Sequence, residues 1–222
     1  MPSVKMPRKS TDTDMTPFVD VAFLILSFFM LATKFKPPEP VEVTMPSSVS
    51  ADKLEQTDAI WTTIDKDSRV FFSMTAETDQ TVFQKLATSL NDERKLGLSD
   101  SEVGALANTL KQGYPVGVPF ANLKQLLAVP PDQQANVKQP GIPVLDYATN
   151  EMVWWISAAK VAMAGKKNVL FLIKGDGISK FPTFEGVING LKRNEQFKYH
   201  LITSPEGVPA GTALDAERRA NN

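Results

Sequence analysis

Apolar side chains are most concentrated in one stretch near the start of the chain. Residues 16–35 read TPFVDVAFLILSFFMLATKF, and Asp20 is the single charged residue between positions 17 and 33. The segment from residue 17 to residue 33 is close in length to the lower limit for a helix that crosses a bilayer, which takes about 17–25 residues. The stretch is longer than the apolar part of a signal peptide, and no small-residue cleavage pattern follows it. We therefore predict a single transmembrane helix over residues 16–35.

After this helix the hydrophobic pattern becomes that of a folded domain. Four prolines between positions 37 and 46 predict an extended linker over residues 36–58. The segments AIWTTID and RVFFSM, separated by turn-forming residues, predict a β-hairpin. Toward the other end, NVLFLIK predicts a buried strand, residues 182–193 a helix, and YHLIT a final strand. These elements together predict an α+β two-layer domain over residues 59–204.

The middle of this domain shows helical periods with recognisable end signals. The segment SDSEVGALANTLKQG begins with a capping box formed by Ser99 and Glu102 and ends at Gly113. In the segment NEMVWWISAAKVAMAG, Asn150 is the predicted cap and Gly165 the predicted stop. The pattern therefore predicts that the middle of the domain is mostly helical.

Composition excludes several classes of function. The chain has 222 residues, a formal net charge of −1, no cysteine and one histidine, His200, which falls in a predicted strand. Near-neutral charge argues against nucleic-acid binding, which needs a basic surface. Without cysteine there is no disulfide or thiolate metal site.

The segment KGDGISK, residues 174–180, lacks the glycine spacing of a phosphate-binding loop. We expect no metal, no cofactor and no enzymatic activity.

Asp20 is the candidate functional residue of the apolar stretch. A charged side chain at the centre of a bilayer costs roughly 2.5–3.5 kcal/mol, so such residues pair, become neutral or carry protons. On a helix, Ser27 lies on the same face as Asp20, and Thr16 lies one turn before it. Such a polar stripe should face protein or water. The alternative is an acid near the membrane surface, stabilised by the helix dipole after a cap at Thr16 and Pro17.

The charges that flank the apolar stretch favour a cytoplasmic amino terminus. Three basic residues precede the stretch and two follow it: Lys5, Arg8 and Lys9, then Lys34 and Lys36. Basic residues in short loops stay on the cytoplasmic side of the membrane. We therefore predict that residues 1–15 form a cytoplasmic tail and that the domain lies on the other side.

The apolar stretch and its flank resemble a known family signature. The segment DMTPFVDVAFLILSFFML, residues 14–31, resembles the membrane signature of the ExbD/TolR family, approximately D-M-T-P-[apolar]-V-D followed by an apolar helix. The segment VEVTMPSS, residues 41–48, is similar to the family's extended segment after the helix. Residues 168–204 resemble its final strand–helix–strand, with Asp176 at the position of a recurrent acid. Residues 91–150 have no counterpart in this resemblance, so we interpret them as an insertion.

The resemblance implies the whole architecture of the chain. We expect a single N-terminal transmembrane helix plus an α+β two-layer periplasmic domain with a mostly helical insertion at about residues 91–150. The small and polar residues from 205 to 222 predict, independently of the resemblance, a flexible tail. The protein is then a single-pass protein of the bacterial inner membrane, with a cytoplasmic amino terminus and a periplasmic domain.

The resemblance also implies a function, which is to couple the proton motive force to mechanical work. An ExbB/TolQ-like pentamer encloses a dimer of the single helix, and a TonB-like protein carries the energy to outer-membrane transport. Protons are the coupling ion. The resemblance places the proton-carrying carboxylate on Asp20, with Thr16 and Ser27 as pore-facing support. A partner-binding role falls on four linker residues: Val41, Val43, Met45 and Pro46.

Two other functions stay open. A TolR-like subunit, or a stator subunit for secretion or gliding, would use the same motor chemistry for different work. A membrane-anchored periplasmic binding module would instead use residues 59–203 to hold a ligand, and Asp20 would be incidental. Activity that survives loss of the charge on Asp20 would favour the binding module.

Overall fold

The chain divides into two units, Met1–Lys36 and Pro37–Asn222. The computed structural model describes residues 15–32, 41–48, 58–77, 79–134, 136–166 and 168–205. The first unit contains one described helix, α1, at Thr16–Ala32. No helix within the described ranges is both long enough and apolar enough to qualify as a membrane span. The predicted transmembrane helix extends to residue 35, and residues 33–35 lie outside the described residues, as do nearly all of the two predicted tails.

The second unit contains all the other described elements. In chain order they are β1 at Ser47–Ser48, β2 at Asp58–Ile64, β3 at Val70–Ala76, α2 at Thr81–Arg94, α3 at Asp100–Lys111, α4 at Phe120–Leu127, α5 at Pro131–Gln134, α6 at Met152–Ala162, β4 at Leu170–Gly175, α7 at Phe181–Arg193, β5 at His200–Ile202 and β6 at Ser204–Pro205.

Four of these strands form one mixed sheet in the order β3-β2-β4-β5. Strands β2 and β3 are antiparallel, whereas β4 runs parallel to both β2 and β5. A separate small sheet pairs β1 with β6 in parallel. The predicted α+β class is confirmed, and the two-layer arrangement stays a prediction. The strand predicted at residues 199–203 is present but is not the final one, because β6 follows it and pairs with a segment from the predicted linker.

The predicted β-hairpin is confirmed, and an ion pair with a buried carboxylate closes its turn. Strands β2 and β3 pair from Asp58 opposite Ala76 to Ile64 opposite Val70. In the turn, the buried carboxylate of Asp65 accepts hydrogen bonds from the backbone N–H and the Nε–H of Arg69, at 2.8 and 2.7 Å. The turn therefore supplies its own partners for the polar groups that it buries.

The hydrophobic core is built from both the sheet and the helices because each element buries one apolar set. Alternate side chains of the strands and helically spaced side chains of α2 and α6 are buried together, which matches periods of 2 and 3.6 residues. The centre of this core is an aromatic stack in which the ring of Trp155 lies 4.9 Å from that of Phe72 and 5.9 Å from that of Phe120. The central members are fully buried: Ile60, Phe72, Met74, Leu86, Leu90, Met152 and Trp155.

The segment interpreted as an insertion is part of this same core. The described regular elements between residues 91 and 150 are helices, as predicted. Leu106 and Leu123, from α3 and α4, are fully buried in the main hydrophobic cluster. The backbones of Phe72 and Val116 exchange two hydrogen bonds of 2.8 Å, so the segment also extends the edge of the sheet. The fold therefore depends on this segment for its stability.

The end signals of α3 are confirmed. The Glu102 carboxylate accepts the Ser99 backbone N–H at 2.8 Å, and the Ser99 hydroxyl accepts the Glu102 N–H at 3.4 Å, which completes the capping box. Beyond the helix, Gly113 adopts a left-handed conformation with φ of 82°. These signals are correct because caps depend on residues within one turn of the helix end.

The end signals of α6 need correction. The helix begins at Met152, so Glu151 occupies the cap position and Asn150 lies one residue outside it. Asn150 nevertheless accepts the backbone N–H of Met152 at 3.0 Å. The helix ends at Ala162, and Gly165, with φ of 88°, belongs to the turn that follows. The glycine therefore marks the turn and not the last residue of the helix.

Candidate functional site

Helix α1 places Asp20 beyond its first turn. The first turn contains no acidic residue, and Val19 already donates its backbone N–H to the carbonyl of Met15 at 3.1 Å. Pro17 fits the start of the helix because that position needs no N–H donor. Asp20 therefore lies in the second turn, where the dipole of the helix end has largely fallen off. This position weakens the alternative in which Asp20 only caps the helix.

The polar stripe predicted on α1 follows from its helical geometry. Seven residues after Asp20, Ser27 lies on nearly the same face, and Thr16 lies one turn before Asp20. Ser27 is half-buried, whereas the other residues from Met15 to Leu31 are exposed. The exposed positions include large apolar side chains on every face: Phe18, Val19, Val21, Phe23, Leu24, Ile25, Leu26, Phe28, Phe29, Met30 and Leu31.

The apolar surface of α1 requires a cover. A helix that is hydrophobic all round is ordinarily buried in a protein or in a membrane. Leaving each of these side chains in water instead of burying it costs about 1.5–3 kcal/mol. Lipid or protein must therefore contact α1. Asp20 is the acidic group that the surrounding lipid or protein would enclose.

In the second unit, residues 41–48 form an extended segment that we call the strap. It lies within the predicted linker, but backbone hydrogen bonds attach it to the domain. Thr44 donates its N–H to Asp176 Oδ2 at 2.7 Å and accepts the Gly177 N–H at 3.0 Å. Farther along, the carbonyl of Pro46 accepts the N–H of Ser204 at 3.0 Å, and β1 pairs with β6. The strap is therefore part of the folded domain.

The four linker residues predicted to bind a partner all lie in the strap. Val41 is buried, Val43 and Met45 are half-buried, and the intervening Glu42 and Thr44 are exposed. The alternation along VEVTM is thus real, and its apolar side faces the chain's own domain. Of the described strap residues, only Ser47 and Ser48 form strand pairs, so residues 41–46 are extended but lie outside both sheets.

Pro46, the fourth of these residues, lines a cavity at the end of the sheet. The cavity has a volume of about 240 Å³. Its lining also includes Asp176, Phe181 and Phe184 of α7, and Leu201 of β5. Phe181 and Leu201 are largely exposed, so the cavity opens onto an apolar part of the surface.

Asp176 is one of the residues that bind the strap, and its own loop orients it. It follows β4, is 6% exposed, and donates its backbone N–H to the carbonyl of Ile64 at 2.9 Å. Its Oδ1 accepts the Ile178 N–H at 2.9 Å. Hydrogen bonds from the backbone N–H groups of Ile178 and Thr44 hold the pKa of the Asp176 carboxyl below its ordinary value. The carboxylate is therefore charged at neutral pH, with one oxygen on the loop and the other on the strap.

A second titratable group joins the helical segment to α6. Glu151 is half-buried, and its Oε2 accepts the Phe120 N–H at the start of α4, at 2.8 Å. Burial raises the pKa of the Glu151 carboxyl above its ordinary value, against the lowering effects of this hydrogen bond and of Arg94. The guanidinium of Arg94 lies 4.8 Å from the ring of Trp154. The sequence offers no sign of this contact, because Glu151 and Phe120 are far apart along the chain.

Comparison with known proteins assigns the family. The protein-family model described as "ExbD: Biopolymer transport protein ExbD/TolR" matches residues 6–206, nearly the whole chain. The chain belongs to the ExbD/TolR family. Neither a curated protein sequence nor a solved structure gives a significant match. ExbD/TolR proteins energise biopolymer transport, generally with ExbB/TolQ and TonB-like partners, and they are generally anchored in the inner membrane with a periplasmic domain.

Within this ExbD/TolR chain, the predicted site residues fall on two surfaces. Thr16, Asp20 and Ser27 lie on α1, in the first unit. The predicted strap residues lie in the second unit, where their neighbour Thr44 donates its N–H to Asp176. Sequence reasoning singled out Asp176 only through the family resemblance and missed its contact with Thr44. The available signal was the Asp-Gly pair after a buried strand, since aspartate at such a position accepts backbone N–H groups of the turn.

Proposed function

We propose that this chain is the single-helix subunit of an inner-membrane motor that couples the proton motive force to transport, and that it is not an enzyme. The observation that carries the proposal is Asp20, a carboxylate in the second turn of a helix whose described surface is otherwise almost entirely apolar. Family membership supports an ExbB/TolQ-like and a TonB-like partner. The arrangement that we propose for them is a pentamer of the ExbB/TolQ-like protein around a dimer of α1.

Membrane anchoring by α1 accounts for its apolar surface. Lipid would cover the faces that carry Phe, Leu and Ile, and the stripe of Thr16, Asp20 and Ser27 would face the polytopic partner, because lipid cannot satisfy polar groups. Three basic residues before the stretch against two after it favour a cytoplasmic amino terminus. The second unit then lies in the periplasm, where a TonB-like partner would reach it.

Proton transfer through Asp20 supplies the energy. A charged carboxylate inside the membrane costs roughly 2.5–3.5 kcal/mol, and protonation removes that charge. Moving one charge through a membrane potential of 100 mV is worth about 2.3 kcal/mol, which is of the same size. Two copies of Asp20 inside a five-fold partner cannot have equivalent surroundings. Protonation of one copy would therefore favour a rotation that moves the other, as in switches driven by a local change of charge.

The test replaces Asp20 in the full-length protein expressed with its partner. Asp20→Asn keeps the size and polarity of the side chain but carries no titrating charge, so we expect co-purification of the partner to survive while energised transport stops. Asp20→Glu keeps the carboxyl but moves it by one methylene, so we expect partial activity. Asp92→Asn makes the same chemical change on the exposed surface of α2 and serves as the matched control.

Each result has a distinct meaning. Normal transport with Asp20→Asn would refute proton coupling at this residue and favour the periplasmic binding module. Loss of co-purification would assign Asp20 to assembly instead. The choice between ExbD-like and TolR-like work depends on which process fails in the Asp20→Asn strain. We propose outer-membrane transport through a TonB-like partner, with a TolR-like, secretion or gliding role as the alternative.

A further inference from the structure

Strand β3 is an edge strand of the four-stranded sheet, and half of its backbone groups point away from β2. At the start of the ladder, Asp65 donates its backbone N–H to the carbonyl of Arg69 at 3.1 Å, so these two residues form a bonded pair. Along antiparallel strands, bonded pairs alternate with pairs whose N–H and C=O groups point outward. The backbone groups of Val70 and Phe72 therefore point toward the outer edge of the sheet.

Two stretches of the helical segment between residues 91 and 150 bind these outward groups. Val116 donates its N–H to the carbonyl of Phe72 and accepts the Phe72 N–H, both at 2.8 Å. Ile142 donates its N–H to the carbonyl of Val70 at 2.8 Å. Val116 and Ile142 are also buried in the main hydrophobic cluster. We call residues 116–118 and 139–142, which lie along this edge, the edge cover.

Hydrogen bonds between its two stretches hold the edge cover together. Gly141 donates its N–H to the carbonyl of Gly117 at 2.7 Å, and Gly117 donates its N–H to Gln139 Oε1 at 2.6 Å. Gln139 is 6% exposed, and its carbonyl accepts the Nη1–H of Arg69 at 3.2 Å. The two stretches therefore bind β3 as one unit.

Close approach to β3 requires glycine at two positions of the edge cover. A Cβ at Gly117 would lie 2.2 Å from the ring of Phe71, and a Cβ at Gly141 would lie 2.9 Å from the backbone nitrogen of Val70. Gly141 also has a φ of 94°, in the region that glycine adopts most readily. The lack of a side chain at both positions lets the edge cover lie directly against the strand.

From these contacts we propose that the edge cover keeps β3 from pairing with β3 of a second copy of this chain. An uncovered edge strand presents unpaired N–H and C=O groups, on which another chain can add a strand. Strand β3 has seven residues, which is longer than the typical 5–6, so two uncovered β3 edges would form a continuous ladder. The proposal rests on the dimer of α1 proposed above, because that dimer would keep two copies of the domain at high effective concentration. Covering the edge keeps the two domains from locking to each other there.

The test loosens the edge cover with a single methyl group in the full-length protein. Gly141→Ala places its Cβ against the backbone of β3. Gly165→Ala adds the same methyl group at a similar φ of 88°, with no atom within 4 Å, so it is the matched control for backbone strain. We expect the Ile142 amide to exchange with solvent about tenfold faster, or more, in Gly141→Ala than in the control, which is the size expected for one lost hydrogen bond.

Nanodiscs that hold one copy each show whether the loosened edge pairs, because lipid then separates the α1 helices. In sedimentation velocity, we expect discs with Gly141→Ala to associate as their concentration rises, and discs with the natural protein or Gly165→Ala to stay single. In the associated state the Phe72 N–H regains a partner on the second copy. Its exchange should therefore slow as concentration rises, while that of Ile142 stays fast.

Three results would overturn the proposal. The first is faster exchange at Ile142 without association between discs. The second is association in which exchange at Phe72 does not depend on concentration, since the contact would then lie elsewhere. The third is unchanged exchange at Ile142 in Gly141→Ala, since the close approach at Gly141 would then not hold the edge cover in place.

Gln139→Ala is the second variant, and it decides the question if Gly141→Ala does not fold. It removes the side chain that accepts the Gly117 N–H and adds no atom against β3, so the same association and the same response at Phe72 are expected. Folded Gln139→Ala discs that stay single while Ile142 exchanges faster would overturn the proposal, as would unchanged exchange at Ile142. Neither readout requires a proton gradient, so normal transport with Asp20→Asn would refute the proposed function and leave this test intact.

Discussion

A close approach between α7 and the chain before α6 makes Gly186 a sharp test of the fold. A Cβ at this position would lie 2.3 Å from the carbonyl oxygen of Val144 and 2.9 Å from its carbonyl carbon. Both are backbone atoms, so no side chain can rotate to make room. The carbonyl of Gly186 also accepts the Asn150 Nδ2–H at 2.8 Å, which holds the two segments together. We expect Gly186→Ala to destabilise the domain.

The size of the effect follows from two opposing contributions. Overpacking a well-filled core costs typically about 1–3 kcal/mol. Replacing glycine by alanine inside a helix contributes up to about 1 kcal/mol in the other direction. We expect a net loss of about 1–2 kcal/mol in the free energy of unfolding. For a domain of this size that lowers the melting temperature by about 2–8 °C.

A second helical glycine provides the matched control. A Cβ at Gly104, in α3, would meet no atom within 4 Å. Gly104→Ala should therefore show only the gain in helix propensity, about 0.5–1 kcal/mol. Thermal and urea unfolding of both variants, monitored by circular dichroism, measures the two changes. Equal stabilisation by the two substitutions would refute the packing of α7 against Val144.

Two further predictions concern single contacts. Because burial raises the pKa of Glu151 in the folded state, the folded protein binds that proton more tightly than the unfolded chain does, and stability falls as pH rises through the raised pKa. Glu151→Gln still accepts the Phe120 N–H but carries no charge. In urea titrations this variant should therefore become more stable relative to the natural protein as pH rises from the acid range to neutrality. If the difference in unfolding free energy between the two proteins stays constant with pH, the burial effect is contradicted. Ser99→Ala breaks the capping box with Glu102 and should cost about 0.5–2 kcal/mol in the same assay. An unchanged midpoint would show that the cap contributes nothing.

Much of the candidate site is visible in the sequence because its signals are local. The stripe of Thr16, Asp20 and Ser27 requires only helical spacing, and the alternation of Val41, Val43 and Met45 requires only an extended backbone. Neither pattern shows which surface these side chains pack against. The structure answers that question for the strap, whose apolar side lies on its own domain.

By itself, the sequence determined the apolar helix with its single carboxylate, the β-hairpin, the capping box at Ser99 and the family to which the chain belongs. These features depend on residues within a few positions of one another, where backbone periods and caps decide the outcome. Only the tertiary structure decided that Thr44 binds Asp176, that Glu151 binds Phe120, and that the helices between residues 91 and 150 complete the main core. Such contacts join segments far apart in the chain. Their formation depends on how the sheet and helices pack, and hydrophobic periodicity identifies a buried face without identifying what it is buried against.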